Sequence, residues 1–242
     1  MSGYVDLHCH WVARIDDGAP TEEESLSMLR ALRAAGFDTV MATPHMRIGM
    51  FDNRREDLIA AFERMQPLLA SASEPLPAVA LASEHYFDDV IHGRLLSGEA
   101  LPYPGGRAVL LEFYGVDFPA VVVERLFDLV RRGLRPVIAH PERYRCLWRS
   151  PEILERLVGS GLAALLDTAA LVGKYGREPQ RAAELMLERG LYHAACSDAH
   201  RAADVADVAR GIERVRALYG DGEVDFLFRE GPTALLAGKL PE

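Results

Sequence analysis

Positive charge is in short supply along this chain. Lys and Arg number 27 against 36 Asp and Glu, for a formal net charge of −9. The basic residues are scattered rather than striped, which argues against a broad nucleic-acid surface. Cysteine is scarce too: Cys9, Cys146 and Cys196 form no CxxC pair and are odd in number. That excludes a disulfide framework and a zinc–thiolate site and suits a reducing compartment. No apolar run approaches the roughly 20 residues of a membrane helix. The opening MSGYVD carries neither a basic segment nor an apolar signal core. The expectation is a soluble cytoplasmic protein with no membrane span and no nucleic-acid partner.

Several catalytic signatures are missing as well. Ser25, Ser83 and Ser197 lack any Gly-x-Ser-x-Gly context, so a hydroxyl-nucleophile triad has no support. Cys9 to Arg14, and Cys196 to Arg201, fall one residue short of the C-x5-R spacing of cysteine-dependent phosphatases. Cys9 reads as a small packed residue. Gly105-Gly106 precedes a strand rather than a helix, so it is no phosphate-cradling loop.

What is present is an ordinary globular composition, 49% hydrophobic and 26% charged, in 242 residues. That length can bury one core, and a single domain over 1–242 is expected. Short apolar runs at Tyr4–Leu7, Asp38–Ala42, Ala78–Ala82, Ala108–Leu111, Pro136–Ala139, Leu162–Leu166 and Leu191–Cys196 read as strands. Their composition suits parallel strands covered by helices, an α/β class built from βα repeats. Thr21-Glu22-Glu23-Glu24 reads as a capping box for a helix that Gly36 should stop. Further helices are expected over Arg54–Leu69, Pro119–Arg132, Pro151–Val158, Gln180–Arg189 and Asp204–Tyr219, with a closing helix within Val224–Lys239.

The chemistry falls at the strand ends. Six of the seven runs are followed by a histidine or carboxylate: His8 with His10, then His45, Glu84, Glu112, His140, and Asp198 with His200. Successive members lie one βα unit apart, roughly 30 residues or more, and two units for the last. In a (β/α) barrel all strand C-termini open on one face, so these side chains should meet at one mouth. His8 and His10 share a face, because extended side chains repeat every second residue, and Ile15-Asp16-Asp17-Gly18 returns a carboxylate beside them. Oxygen and nitrogen donors without sulfur suit Mn, Fe or Zn. Arg143, three residues past His140, should reach over the same mouth. His85, His92 and His193 fall off the converging face. Trp11, Met46, Met50 and Phe51 lie beside the donors, either as an apolar wall for an aromatic substrate ring or as plain packing.

The segments DLHCH, TPH, SE, LEF, HPERY and SDAH resemble the polymerase-and-histidinol-phosphatase (PHP) metallohydrolase superfamily. With Ile15-Asp16-Asp17-Gly18, Gly49-Met50-Phe51, HPERY and Leu171–Gly176, the chain is similar to its manganese-dependent protein-tyrosine phosphatases of bacterial capsule and exopolysaccharide loci. The resemblance implies a distorted (β/α)7 TIM-like barrel of the PHP type. It implies up to three ions, Mn2+ first with Fe or Zn as alternatives, held by His8, His10, Asp17, His45, Glu84, Glu112, His140, Asp198 and His200. Asp16 ranks second for the part of Asp17. A metal-bridging hydroxide would attack a phosphomonoester, with Asp17, His45 and Arg143 catalytic and Arg143 and Arg201 binding substrate. Three divalent ions against four carboxylates leave about +2 at the mouth of an acidic protein, which suits a phosphate ester.

The expected substrate is a phosphotyrosine protein or peptide, with a bacterial tyrosine kinase of polysaccharide export as partner. The alternatives are a histidinol-phosphate or other small-molecule phosphatase on the same fold, and a non-catalytic metal- or phosphate-binding protein. Two departures stand out. The arginine that usually follows the Ser-Asp-x-His segment is missing, leaving Arg201 or Arg210 to take its place. Asp167 stands where this branch usually has an amide, and could add negative charge near the centre.

Overall fold

The computed structural model describes residues 3–115 and 117–241. All seven apolar runs form strands, and two of them are interrupted. β1 (Tyr4–Asp6) pairs with β2 (Phe37–Ala42), which resumes after Thr43-Pro44 as β3 (His45–Met46). β4 (Ala78–Leu81) resumes after Ala82-Ser83 as β5 (Glu84–Tyr86). β6 (Ala108–Glu112), β7 (Arg135–Ala139), β8 (Ala163–Asp167) and β9 (Ala194–Cys196) follow. Every pairing is parallel, in the orders β1-β2-β4 and β3-β5-β6-β7-β8-β9. The strands therefore follow chain order, as in a barrel, with one break where Pro44 has no N–H to give the ladder. Ser83 Oγ bridges that break by donating to Pro44 O at 2.8 Å.

The seam between first and last strands is spanned just beyond their ends. Asp198 N donates to His8 O (2.9 Å) and His10 N to Ala199 O (3.0 Å), with Cys9 and Ala199 in a parallel bridge.

The helices cover the outside. α1 (Glu22–Ala34), α2 (Arg55–Ala70), α4 (Ala120–Arg131) and α5 (Glu152–Gly159) lie within a residue or two of their expected bounds, as does α7 (Val205–Tyr219). α3 (Asp89–Ser97) has no counterpart among the expected helices. Its signals are nonetheless ordinary: Asp88 Oδ1 accepts from Ile91 N at 2.7 Å, and Gly98 at φ +80° ends it. α6 (Arg177–Glu188) starts three residues before Gln180, because Pro179 is tolerated in a first turn. The closing helix is stepped: α8 (Asp221–Asp225), a wide π turn over Phe226–Glu230, then α9 (Gly231–Leu236). The capping box at α1 is half formed. Thr21 Oγ1 accepts from Glu24 N at 3.2 Å, but Glu24 Oε1 accepts from Ala202 N at 2.7 Å instead of turning back.

Two cores result. The larger lies between strands and helices, with Trp11, Met28, Phe37, Met46 and Phe228 fully buried. Trp11 and Met46 are thus packing residues rather than a substrate wall. The smaller is enclosed by the strands: Leu7, Met41, Ala82, Ala108, Leu110, Val137, Ala139, Ala163, Leu165, Ala194 and Cys196. The many alanines keep this interior narrow. No helix among the described residues is long and apolar enough to cross a membrane.

Candidate metal centre

Strand alternation carries the inner column of side chains up to the mouth. Met41 leads by twos to His45, Ala82 to Glu84, Leu110 to Glu112 and Cys196 to Asp198. His8 and His140 break that parity, each directly following an inward residue, Leu7 and Ala139. At His140 the change of direction is made by a left-handed backbone, φ +33°. Asp198 also has a positive φ, +42°, and Arg14 is the third such non-glycine residue among those described. Two of three strained backbones thus sit under candidate donors, as expected where function holds the chain against its preference.

The nine expected donors gather into four overlapping groups, each with donor atoms within 4.8 Å of one another. These are His10, Asp17, His45 and His200; His8, His10 and Asp198; His8, Glu84 and His140; and His45, Glu84 and Glu112. Eight belong to strand ends, and Asp17 comes from the following loop. Gly18 allows that loop to return: a Cβ there would lie 2.1 Å from His10 O. Asp16 does not occupy the place of Asp17. Its Oδ2 instead sits 2.8 Å from His10 Nδ1 and accepts from His45 N at 3.0 Å, fixing one imidazole and the next strand end.

The fit to cations rests on the donor atoms. His8 Nε2 lies 3.2 Å from Glu84 Oε2, 3.3 Å from Asp198 Oδ1 and 3.1 Å from His10 Nε2. His45 Nδ1 lies 3.0 Å from the same Glu84 Oε2 that His8 Nε2 faces, and Glu112 Oε2 is buried without a hydrogen-bond partner. Such crowding of lone pairs is costly unless positive charge sits among them. The Asp16–His10 contact is the outer support that a metal-binding imidazole ordinarily has.

The charges say the same. Burial would raise the Glu84 carboxyl, but His8 and His45 hold it well below the usual range. Burial opposes the ionised Asp198 too, yet His8, His10 and Arg143 keep it charged. Burial would lower His45, but Glu84 and Asp17 lift it to about 10. Glu112 is pushed up to about 7 by burial and by the charge of Glu84, which outweigh the opposing pull of His45 and Arg143. Burial and Arg143 press His140 down to about 4. Protons on imidazoles thus supply the countercharge that cations could supply instead.

Around this cluster opens a cavity of about 360 Å³ lined by Asp17, Arg143, Lys174, Tyr175, His200 and Arg201, among others. Arg143 Nη1 donates to Asp198 Oδ2 at 2.5 Å and lies 3.9 Å from Asp167 Oδ2, with its guanidinium 4.7 Å over the Tyr175 ring. Arg201 is at the same mouth, but its Nη1 faces the carbonyls of Asp17 (3.0 Å), Gly18 and His200 (2.6 Å), tying two loops together. Arg210 is turned to Asp207 on the surface of α7 and lines no part of this cavity.

Beyond the negative charge expected of Asp167, the remaining side chains here had no expected role. Glu142 is wholly buried, accepts from Asp167 N and Tyr192 OH at 2.9 Å each, and is pushed up to about 8 by burial and by Asp167. Asp167 is buried beneath Arg143 and pushed up to about 6 by burial and by Asp198. Lys174 Nζ meets Asp204 Oδ1 at 2.8 Å, and Asp204 Oδ2 accepts from the amides of His200 (3.0 Å) and Arg201 (2.8 Å). Glu142 and Lys174 fall within the HPERY and Leu171–Gly176 segments, and Asp167 stands out in the sequence only as an added negative charge. The set-aside residues lie away from the cluster. Cys9 is buried in the outer core, His85 bonds Leu110 and Leu101, His92 approaches Asp128, and His193 accepts from Ala164 N.

The tyrosine-protein phosphatase YwqE of Bacillus subtilis is 30% identical over 196 residues, 81% of this chain and 77% of that protein. The tyrosine-protein phosphatase CpsB of Streptococcus pneumoniae is 25% identical over 242 residues, 98% of this chain and 99% of that one. One chain from the crystal structures of YwqE and CpsB, which are described as unique metal-dependent tyrosine phosphatases, superposes with a TM-score of 0.88 at 27% identity, covering 98% of this chain and 96% of that one. The phosphotriesterase homology protein of Escherichia coli, at 14% identity and a TM-score of 0.60, shares the fold. The family model for capsular polysaccharide synthesis, CpsB/CapC, matches residues 4–237, and the chain belongs to that family.

Proposed function

We propose that this chain is a metal-dependent protein-tyrosine phosphatase acting in capsular or exopolysaccharide synthesis, with residues 1–242 as one catalytic domain. The observation that carries the reading is the meeting of nine oxygen and nitrogen donors beneath Arg143. The relatives named as tyrosine-protein phosphatases support the substrate class. Its substrate is a phosphotyrosine polypeptide, with a bacterial tyrosine kinase of polysaccharide export as partner. Three free cysteines suit action in the cytoplasm.

His8, His10, Asp17, His45, Glu84, Glu112, His140, Asp198 and His200 would hold up to three divalent ions, manganese first and iron or zinc as alternatives. Bound ions would supply Lewis-acid polarisation of the phosphoryl group and acidify the attacking water. The chain's own residues do the rest. Arg143, anchored by Asp198 and backed by Tyr175, presents a cation to phosphoryl oxygens as their charge grows. Asp17 is kept ionised by His200 and His45 and holds positive charge at the exposed lip. Asp16 fixes the ring of His10, and Arg201 pins the Asp17 loop against the His200 loop.

Chelated protein should lose hydrolysis of a phosphotyrosine peptide, and Mn2+ should restore it. Activity that persists without metal contradicts the reading, and a large preference for histidinol phosphate would move it to the small-molecule alternative.

A further inference from the structure

The cavity at the mouth is polar on the side of Arg143, Lys174 and Arg201. A different surface adjoins the donor cluster outside that lining, at His45. Between β3 and α2 the chain makes a tight loop in which Arg47 N donates to Phe51 O (3.0 Å) and Phe51 N to Arg47 O (2.8 Å). Gly49 takes φ +79° and its amide donates to Asp52 Oδ1 at 2.6 Å. Asn53 Nδ2 ties the loop down by donating to Ile15 O (3.0 Å) and His45 O (2.9 Å). This rigid loop nevertheless holds Met50 59% exposed and Ile48 38% exposed. It lays the half-buried Phe51 ring on the His45 imidazole, centroids 5.3 Å apart and planes 4° from parallel. His45 Nε2 in turn lies 3.4 Å from Asp17 Oδ1, and Asp17 lines the cavity.

From this geometry we infer that Phe51, with Met50, is the specificity element that selects an aromatic phosphate ester. The inference rests on the phosphatase reading of the same site. A phosphoryl group drawn to the donor cluster and Arg143 leaves its ester substituent pointing out of the mouth. An aryl substituent can then lie against the Phe51 ring and the Met50 thioether, contacts an alkyl phosphate of serine or a small polyol does not fill. The loop is pre-organised by its backbone bonds, so little ordering is needed on binding.

The test measures the affinities of Mn2+-loaded protein for phenylphosphonate and methylphosphonate by calorimetry, which needs no turnover. Wild-type protein should favour phenylphosphonate. Phe51→Leu should cut that preference about ten-fold while leaving methylphosphonate binding in place, and Phe51→Tyr should restore it. Met50→Ser, at an exposed position, should reduce the preference to a smaller degree. Equal affinities in wild-type protein, no binding of either, or a parallel loss of both in Phe51→Leu would overturn the inference; the last outcome would mark Phe51 as a support for His45. Failure of wild-type protein to hydrolyse a phosphotyrosine peptide would sink the phosphatase reading instead, whatever the affinity ratio.

Discussion

Arg143 is the side chain on which the chemistry and the electrostatics of the mouth meet. It is held by Asp198, a candidate donor, and backed by buried Asp167 and the Tyr175 ring. Arg143→Ala should lower turnover by about 10- to 1000-fold, the scale of losing one pre-organised anion donor. Steady-state kinetics on a phosphotyrosine peptide check this, and a change confined to KM would show uniform binding instead.

His85 gives a separate prediction, on stability. Its Nδ1 faces Leu110 O at 2.9 Å and its Nε2 accepts from Leu101 N at 3.2 Å, so the buried ring must be neutral. Burial pushes it down to about 4 from an ordinary 6.5. The unfolded chain therefore takes up a proton below pH 6.5 that the folded one refuses. Stability is present above that pH and is lost as pH falls towards 4, by about 1.4 kcal/mol per pH unit from this group. Urea unfolding of chelated protein at pH 7 and pH 5 should show a smaller loss in His85→Gln than in wild-type protein. An equal loss would remove His85 from the account.

Legibility differed sharply among residues. Eight of the nine donors could be named because each lies at the end of an apolar run, Asp17 through the family resemblance, and Arg143 because it follows His140 closely. Glu142 and Lys174 could not, because what gives each its surroundings lies far along the chain, Tyr192 for Glu142 and Asp204 for Lys174; Asp167 was legible as an added negative charge, but its place beneath Arg143 was not. Arg201 was named as a substrate contact, and its bonds to three carbonyls give it an added task of joining loops.

Among the elements, loops carry most of what periodicity could not show. Strand runs announce themselves by apolar composition, whereas the breaks at Thr43-Pro44 and Ala82-Ser83 became visible only in the pairing. The half-formed capping box makes the same point. Glu24 has the right spacing for Thr21, but Ala202 N, brought close by the barrel, takes its carboxylate. The Asp16–Gly18 loop is the element most exposed to a single change. Gly18→Ala would drive a Cβ into His10 O, so the loop must move and Asp17 with it. The fold should survive, since the loop is outside both cores. Far-ultraviolet circular dichroism should be unchanged while Mn2+ affinity falls by about ten-fold or more. Unaltered affinity would mean that Asp17 contributes little to holding metal.

At the scale of the whole molecule, the βα rhythm places chemistry without any local motif for it. Seven strands in chain order, two of them broken into two segments and all parallel, bring ends from across the chain to one rim. That much was readable from spacing; the bridging of the seam by Asp198 N and His10 N was not. Crystals of Mn2+-loaded protein, measured at the manganese absorption edge, test the central claim directly. Anomalous peaks are expected within roughly 2.5 Å of donor atoms in the groups formed by His8, His10, His45, Glu84, Glu112, His140 and Asp198, with Asp17 and His200 closing the outer one. A protein that hydrolyses phosphotyrosine while those groups show no peak would contradict it.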